Sequence, residues 1–392
     1  MMKEAVIVSA TRTPVGKFGG ALKDISAPKI GAIAVREAVR RARIDPKDIE
    51  ECIMGNVITA GLGQNPARQA ALWGGLTAEV AALTINKVCG SGLKAVMLAA
   101  DAILAGKEKA IVAGGMENMT NAPYLLEKAR FGYKLFDSSL VDSMVRDGLW
   151  EVYNNYHMGN TGEIVAQRNG VTRADADKFA LWSHQKSVAA IKSGAFKEEV
   201  VHVELPSKKE VSIFSVDEGP REDTSLDALA KLKPVFKNDG VLTAGNSSSI
   251  NDGASAVVVV DSDLARERGI KPLVKIVDYV TSGVKPELLM EAPIHAVRKI
   301  LERNGLDVKD IDLWEHNEAF STASVAIMKI LGIPEDKFNV NGGAVALGHP
   351  IGCSGARVLT TLIHAMRAHD SKRGIATLCL GGGNAVAMLV ER

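Results

Sequence analysis

The chain has 392 residues, more than a single hydrophobic core usually organises, so we expect two domains. Its 47 basic and 46 acidic residues leave a net charge of +1, which argues against nucleic-acid binding through a generally basic surface. No stretch approaches roughly 18 uninterrupted apolar residues, and four cysteines are too few for a disulfide scaffold, so we expect neither a membrane span nor structural disulfides. Because the N-terminus also lacks signal-peptide and transit-peptide character, we expect a cytoplasmic protein with free thiols.

Along the chain, short runs of β-branched residues alternate with amphipathic stretches, which is typical of an α/β fold. The opening run AVIVSA predicts a strand, and AVREAVRRA after it predicts a helix. Two later runs, KAIVAGG and SAVVVVD, are apolar at nearly every position and indicate strands buried on both faces. Between them, the segment 122–249 is richer in charge, proline and aromatic residues, and we expect it to be an insertion that lies over a site.

The sequence also repeats itself at the scale of a domain. Residues 34–49 and 296–311 are identical at eight of sixteen positions, at a constant offset of 262. Residues 89–115 and 352–382 share a Ser-Gly step, a helical stretch, a charged turn and an apolar strand that ends in Gly-Gly. The opening AVIVSATRTP compares in the same way with VKIVDYVTSG at 274–283. The order is the same in both halves, which indicates an internal duplication.

The duplication predicts two α/β domains packed in a layered αβαβα architecture, with helices of both halves meeting between the sheets. We assign residues 1–121 and 250–270 to the N-terminal domain and residues 271–392 to the C-terminal domain. The inserted loop domain is residues 122–249, which have no counterpart in the second half.

A cysteine at the start of a predicted helix is the first candidate for chemistry. Cys89 follows the apolar approach TINKV and precedes GSGLKAVML, in which Gly90 and Gly92 permit a tight entry and close backbone approach. The positive end of a helix dipole favours a thiolate, so we expect a lowered pKa for Cys89. The alternative interpretation is a cysteine that serves only as a small buried hydrophobic residue.

The second half supplies further candidates. His349 lies in the glycine-rich NGGAVALGHPIG ahead of a helix start, where a fixed imidazole suits acid–base work, although a lone histidine is more often structural. Cys379 ends an apolar strand, as a core residue also would, and the glycines after it, including Gly381, can present backbone N–H groups to an oxyanion. Asn317, in EHNEAF, follows a strand and precedes a helix, which is a common position for site residues in α/β folds.

These side chains together suit carbon–carbon bond formation from two thioesters. Such a reaction needs a nucleophile for the first acyl group and a base for the carbon beside the second thioester carbonyl. It also needs separate donors for the tetrahedral intermediate and for the enolate. A thiolate suits the first task because exchange between thioesters is close to isoenergetic. A metal site is not expected, since the Cys and His residues have no recognisable ligand spacing.

Several longer motifs resemble the thiolase family along essentially the whole chain. They are, in order, ATRTPVGKFGGAL, NKVCGSGLKA, GGMENMT, YHMGNTGEIVA, NDGASA, NEAF, NGGAVALGHPIG and CLGGGNA. The resemblance implies that Cys89 becomes the acyl-enzyme, and that His349 activates its thiol and donates to a first oxyanion site. Asn317 is implied to support that site through a bound water, and Cys379 to be the acid/base of the condensation. The N–H groups of Cys89 and Gly381 are implied to form a second oxyanion site.

Coenzyme A is implied by the resemblance as the carrier of substrate and product, held mostly by the insertion, with no tightly bound cofactor. The positions that match its contacts are Leu149, His157, Met158, Arg221, Phe236, Ala244, Ser248, Ala319 and Phe320. Arg221 matches a position near the phosphate-bearing nucleotide, which its charge suits. Met158 and Met290 match the apolar wall of the acyl pocket.

The motif YHMG resembles the branch of the family that acts on acetoacetyl-CoA, since the fatty-acid-degrading branch usually lacks the histidine. The length of segment 122–148 is similar to that of the loop through which this branch forms tetramers. The resemblance therefore implies reversible condensation of two acetyl-CoA to acetoacetyl-CoA and CoA, in a ping-pong mechanism, by a homotetramer built as a dimer of dimers. Three residues depart from the family pattern, namely Ala385, Ser249 and Ala228.

Other functions stay open at this point. The nearest is a 3-ketoacyl-CoA thiolase of fatty-acid degradation, with the same residues and longer substrates. A non-catalytic acyl-CoA or lipid carrier would keep the fold without acylation of Cys89, and a cysteine hydrolase would leave NEAF and CLGGG without a role. A decarboxylating ketoacyl synthase is expected to carry histidines around its cysteine rather than a second cysteine at position 379.

Overall fold

The computed structural model of the protein describes residues 3–205 and 212–392. Its strands are, in chain order, β1 (Ala5–Arg12), β2 (Gly16–Lys17), β3 (Glu51–Gly55), β4 (Ala81–Ile85), β5 (Ala110–Asn118), β6 (Tyr124–Leu125), β7 (Val141–Asp142), β8 (Trp150–Glu151), β9 (Tyr156–His157), β10 (Val203–Leu205), β11 (Ser212–Phe214), β12 (Asn251–Asp261), β13 (Val274–Gly283), β14 (Leu313–His316), β15 (Arg373–Leu380) and β16 (Asn384–Glu391). Its α-helices are α1 (Ala27–Ala42), α2 (Pro66–Trp73), α3 (Ser91–Leu104), α4 (Gly159–Asn169), α5 (Arg173–Ser193), α6 (Leu226–Ala230), α7 (Ser262–Glu267), α8 (Ala292–Asn304), α9 (Ser321–Leu331), α10 (Ala344–Leu347) and α11 (Ile351–Ala368).

The long strands of both halves join in one mixed sheet with the order β14-β15-β16-β13-β1-β12-β5-β3-β4. The two halves meet where β1 pairs with β13, through Val6 opposite Lys275 and Ile7 opposite Val274. These are the two strands that the third repeat of the sequence relates to each other. The two expected sheets are therefore hydrogen-bonded to each other at this seam, where the duplicated copies of one strand lie side by side.

The strand order of the second half repeats that of the first. Outward from the seam, β1, β12, β5 and β3 correspond to β13, β16, β15 and β14. In both halves the outer pair, β5–β3 or β15–β14, is parallel. The first half ends in one more parallel strand, β4, where the second half has an isolated parallel bridge between Trp314 and Phe338. The topology therefore agrees with an internal duplication.

Helices cover the outer faces of the sheet and also fill the space between its halves. α1 and α2 pack on the first half, and α8 packs on the second. Between the halves, α3 and α11 pack against each other, and α11 also contacts β12 and β5 on one side and β15 and β14 on the other. The layered αβαβα architecture predicted from the sequence is confirmed, and its sheet is mixed.

Glycines let α3 and α11 approach closely. A Cβ built on Gly92 would lie 2.6 Å from the backbone nitrogen of Ala356, and one built on Gly355 would lie 2.3 Å from that of Leu93. These distances are too short for real atoms, so only glycine fits at either position. Because Gly92 is the second residue of α3 and Ala356 the sixth of α11, the N-terminal ends of the two helices lie side by side.

The segment between β5 and β12 contains small two-stranded sheets, β6–β7 and β8–β9, and the helices α4, α5 and α6. Both α4 and α5 pack against α9 of the second half. After this segment the chain returns to the first half, because β12 pairs with β1 and β5. Within residues 3–205 and 212–392, no helix is both long and apolar enough to cross a membrane.

Candidate active site

The turn before α3 carries Cys89 and is held by the first residue of the helix itself. Ser91 Oγ accepts a hydrogen bond from Lys87 N–H at 2.8 Å and donates one to the Val88 carbonyl at 2.7 Å. Val88 N–H in turn donates to Asn86 Oδ1 at 2.9 Å. Val88 has a φ of 48°, a left-handed conformation that a β-branched residue rarely adopts. These hydrogen bonds hold a strain of the order of 1–3 kcal/mol at the residue before Cys89.

The first turn of α11 determines the tautomer of His349. His349 Nδ1 lies 2.5 Å from Ser354 Oγ, and Ser354 Oγ donates its proton to the Pro350 carbonyl at 2.8 Å. A hydroxyl has a single proton, so His349 Nδ1 must donate in this contact. His349 Nε2 is then unprotonated and can accept a proton. The backbone is held too, because His349 N–H donates to Asn251 Oδ1 at 3.0 Å.

Asn317 lies next to His349. Its Nδ2 is 3.4 Å from His349 Nε2, a long and therefore weak contact that leaves the unprotonated nitrogen free to accept from a closer donor. The backbone N–H of Asn317 donates to the Thr377 carbonyl at 3.1 Å, so β15 holds the residue in place. Its Oδ1 is buried and has no hydrogen-bond partner among the described protein atoms.

The end of β15 brings a second thiol to the same place. Cys379 is buried, with its Sγ 3.5 Å from Met290 Sδ. Two residues later, the backbone N–H of Gly381 faces the Cys89 sulfur. A Cβ on Gly381 would lie 2.7 Å from Met158 Cε, so a larger residue there would displace the flexible end of that side chain. The loop after β15 therefore connects the surroundings of the two cysteines.

Burial makes the resting site electrically neutral. It raises the pKa of Cys89 to about 12, and the N–H groups of Gly381 and of Cys89 itself offset this effect only in part. The lowered pKa predicted from the helix dipole is therefore wrong for the resting site, because the loss of water outweighs the helix end. Burial, together with the neighbouring Cys89, also raises the pKa of Cys379. Burial and the nearby positive charge of Arg357 lower the pKa of His349 to about 3, so the imidazole is uncharged at neutral pH.

Cys89, His349, Cys379 and Gly381 line one cavity of about 520 Å³. Most of the residues predicted to contact substrate line the same cavity, namely Leu149, His157, Met158, Phe236, Ala244, Ser248, Met290, Ala319 and Phe320. Asn317 lies behind His349 and does not line it. In the part of the chain that the structure describes, no group of three or more His, Cys, Asp and Glu side chains could hold a metal ion.

His157 is fixed as a neutral donor in the wall of this cavity. Its ring stacks on Phe236, with ring centroids 4.8 Å apart and planes 17° apart, and Phe236 meets Phe320 edge-on at 5.6 Å. His157 Nδ1 accepts from Gly159 N–H at 3.0 Å, so the proton of the neutral ring is on Nε2. Burial lowers the pKa of His157, which favours this neutral form.

Arg221 does not line the cavity of the two cysteines. It lies on an adjoining cavity of about 460 Å³, together with Ala228. The residues that line both cavities are Lys17, Ala244, Ser247 and Ser249. Of the residues predicted to contact coenzyme A, Arg221 is thus the one that the structure separates from the others.

Two family models together match almost the whole chain. One, described as "Thiolase, N-terminal domain", matches residues 5–263, and the other, "Thiolase, C-terminal domain", matches residues 270–392. The chain belongs to the thiolase family. It is 52% identical to an acetyl-CoA acetyltransferase of Escherichia coli and 51% identical to one of Cupriavidus necator, over 100% of this chain and of each relative. The crystal structure of the Bacillus anthracis acetyl-CoA acetyltransferase matches with a TM-score of 0.98 at 39% identity, covering 100% of this chain and 99% of that one.

Sequence reasoning missed several residues that hold the side chains of the thiolase site in place. Nothing in the residue type signals the left-handed Val88, since valine is among the residues least expected there. The role of Ser354 had a signal, because a hydroxyl in the first turn after His349 and Pro350 is placed to meet the imidazole. Asn251 begins the motif NDGASA, but nothing in that motif signals a contact with the backbone of His349, 98 residues further along the chain.

Two of the departures from the family pattern lie beside these supports. Ser249 Oγ donates at 2.8 Å to Asn251 Oδ1, the same oxygen that accepts from His349 N–H. Ser249 thus adds a hydrogen bond to the side chain that holds His349. Ala385 is buried opposite Cys379 in the β15–β16 pair, and its small side chain fits there.

The hydrogen bond between Ser354 and His349 yields a testable prediction. Ser354→Ala removes the acceptor of Nδ1–H, so the imidazole loses both its orientation and its tautomer. We expect the reaction of Cys89 with acetyl-CoA to slow roughly 10- to 100-fold. The measurement is a time course of the acetyl adduct by mass spectrometry. Ser354→Thr keeps the hydroxyl and should stay near the wild-type rate; an unchanged rate in Ser354→Ala would contradict the tautomer assignment.

Proposed function

We propose that the protein is an acetyl-CoA C-acetyltransferase, which condenses two acetyl-CoA reversibly to acetoacetyl-CoA and CoA through an acyl-Cys89 intermediate. The observation that carries the proposal is that two thiols and a neutral histidine, Cys89, Cys379 and His349, line one cavity. Support also comes from relatives that are about half identical over their full length and are named acetyl-CoA acetyltransferase.

In the first half-reaction, we assign His349 Nε2 as the base that takes the proton of the Cys89 thiol while the sulfur bonds to the carbonyl carbon of acetyl-CoA. The high pKa of Cys89 requires that this proton transfer accompany the attack. Once protonated, Nε2 becomes a donor that suits the oxyanion of the tetrahedral intermediate. We assign Asn317, which lies behind His349, to support that site through a bound water. The bond between carbon and the CoA sulfur then breaks, and Cys379 gives its proton to that sulfur.

In the second half-reaction, the Cys379 thiolate takes a proton from the methyl group of a second acetyl-CoA. Acetylated Cys89 is a thioester that cannot ionise, so it places no negative charge beside the Cys379 thiolate. The enolate bonds to the acetyl carbonyl carbon, the C–S bond to Cys89 breaks, and His349 returns the proton to the Cys89 sulfur. We assign the N–H groups of Cys89 and Gly381 to the acetyl oxygen in this step. At the end of the cycle, the two thiols and the imidazole have returned to their starting protonation states.

Coenzyme A is the proposed carrier in both half-reactions. We place its pantetheine arm in the cavity of the two cysteines and its nucleotide in the adjoining cavity, since the two share a wall. Arg221 and Lys17 line the adjoining cavity and suit the phosphates by charge, although Glu218 and Asp223 also lie there. His157 Nε2–H, in the wall of the first cavity, is a donor for a polar group of the substrate.

Single cysteine substitutions test the roles of the two thiols. Cys89→Ala should form no acetyl adduct, because it lacks the nucleophile. Cys379→Ala should still be acetylated slowly but should lose roughly 10²- to 10⁴-fold in condensation, the usual contribution of a general base. Mass spectrometry after brief exposure to acetyl-CoA, with an assay for acetoacetyl-CoA, measures both.

Cys52→Ala is the matched control for these variants, because Cys52 is a buried free thiol on β3 that lines neither cavity. Wild-type condensation by Cys379→Ala would contradict the assignment of the base. A wild-type protein without an acetyl adduct would point to a carrier, and release of acetate without acetoacetyl-CoA would point to a hydrolase.

The preferred chain length is tested in the cleavage direction. The stacked His157 and Phe236, with Met158 and Met290, wall the cavity of the cysteines with bulky side chains. We therefore expect kcat/KM to be highest for acetoacetyl-CoA and to fall for ketoacyl-CoA substrates of increasing length. A preference for chains beyond six carbons would instead favour a 3-ketoacyl-CoA thiolase of fatty-acid degradation.

We also propose a homotetramer built as a dimer of dimers. Strand β4 lies at the edge of the sheet with Leu83 exposed, and the segment after β5 exposes Phe131 at 84% and Phe136 at 89%. Apolar side chains exposed to this extent mark contact surfaces. Sedimentation should give the mass of a tetramer for the wild type and of a dimer for Phe131→Ser combined with Phe136→Ser. A monomeric wild type would refute the proposal.

A cytoplasmic location is proposed on the state of the thiols. The four cysteines are free, and the proposed chemistry needs Cys89 and Cys379 as thiols. A reducing compartment keeps them so. Fractionation of cells that produce the protein tests this location.

A further inference from the structure

Glu117 is a buried carboxylate near the end of β5, in the motif GGMENMT, which has no role in the chemistry above. Its Oε1 accepts from Asn56 Nδ2 at 2.6 Å and from Ile58 N–H at 3.2 Å. Its Oε2 accepts from Val57 N–H at 3.1 Å and from Gly352 N–H at 2.8 Å. Three of these donors belong to the first half of the chain, and the fourth belongs to the first turn of α11 in the second half.

Glycines allow the start of α11 to pack directly against β5. A Cβ on Gly115 would lie 2.0 Å from the carbonyl oxygen of Gly352. A Cβ on Gly352 would lie 2.8 Å from the Met116 carbonyl oxygen and 2.9 Å from Glu117 Oε2. Backbone thus packs against backbone without an intervening side chain, and the carboxylate of Glu117 accepts from the N–H of Gly352 at this contact.

The turn that Glu117 holds is the one that carries the proposed base. Gly352 lies between His349 and Ser354, the two residues whose contact determines the tautomer of the imidazole. Cys89, the proposed nucleophile, belongs to the other half. The distance from His349 to Cys89 therefore depends on contacts that cross between the halves, and the bond from Gly352 to Glu117 is one of these.

We propose that Glu117 is a positioning residue of the thiolase reaction, which sets the place of the His349 imidazole relative to the Cys89 sulfur by holding Gly352. This inference rests on the function proposed above. A carboxylate suits the task because its two oxygens accept four hydrogen bonds at once and need no proton of their own. Its negative charge at the start of α11 is also favoured by the helix dipole.

Glu117→Gln is the decisive variant. Its amide NH₂ group must face one pair of donors, either Asn56 and Ile58 or Val57 and Gly352, so those two bonds are lost. At saturating acetyl-CoA we expect acetylation of Cys89 to slow roughly 100-fold, because a displacement of a catalytic group by about 1 Å typically costs a factor of this size in rate. The acetyl-CoA concentration for half-saturation should stay within about threefold of wild type, because Glu117 is not in the cavity wall.

Rapid-quench mass spectrometry at pH 8 measures both quantities, since burial raises the pKa of Glu117 to about 7 and the wild-type carboxylate is charged at pH 8. Glu50→Gln is the matched control. Glu50 accepts the backbone N–H groups of Lys109 and Ala110 at the other end of β5, away from α11. This variant should acetylate at the wild-type rate, and Glu117→Asp, which is charged but shorter, should fall between wild type and Glu117→Gln.

Acetylation at the wild-type rate in both folded variants, Glu117→Gln and Glu117→Asp, would overturn the inference. An unchanged rate with a higher acetyl-CoA concentration for half-saturation would overturn it as well. Circular dichroism and thermal melting establish that the variants are folded, so that a loss of folded protein is not counted as a loss of rate. If Glu117→Gln does not fold, Glu117→Asp decides, and a wild-type rate in that variant overturns the inference. A wild-type protein that gains no acetyl group on Cys89 would refute the proposed function instead.

Discussion

Helices α3 and α11 touch near their N-terminal ends, where Gly92 and Gly355 leave no room for a side chain on either surface. Each helix belongs to a different copy of the duplicated unit, and each begins just after a residue proposed for chemistry, Cys89 or His349. The close approach of the two backbones therefore brings the nucleophile and its base into one cavity. A bulkier residue at this contact would push the two helix starts apart and would separate Cys89 from His349.

The same packing excludes water, and the exclusion determines which charges the site carries. Two thiols and an imidazole are all uncharged at rest, because burial disfavours every ionised form. The helix end before Cys89 lowers the cost of a thiolate without making it the resting state. Charge therefore appears only as protons move between Cys89, His349, Cys379 and the substrate. Ser354 and Asn317 matter because they keep Nε2 of the imidazole ready to accept.

Much of the fold and of the site could be predicted from the sequence, because both depend on local patterns. The repeats at a constant offset predicted the duplicated α/β halves, and the motifs around Cys89, His349 and Cys379 predicted side chains that the structure brings to one cavity. The errors and omissions concern long-range effects. The pKa of Cys89 depends on all the groups that surround its sulfur in the fold, and the four donors around Glu117 come from two distant parts of the chain. The strained φ of Val88 contradicts its own local preference, so no local pattern could reveal it.

The neutral state of the two thiols has a consequence for their reactivity toward oxidants and alkylating agents. Peroxides and alkylating agents attack the thiolate far faster than the thiol, and they must reach the sulfur first. Because their pKa values are raised, Cys89 and Cys379 are almost entirely protonated when no substrate is bound. The thiols become reactive only when a thioester is positioned beside a base. A thiol that stays protonated until a thioester binds is a slower target for such reagents than a standing thiolate.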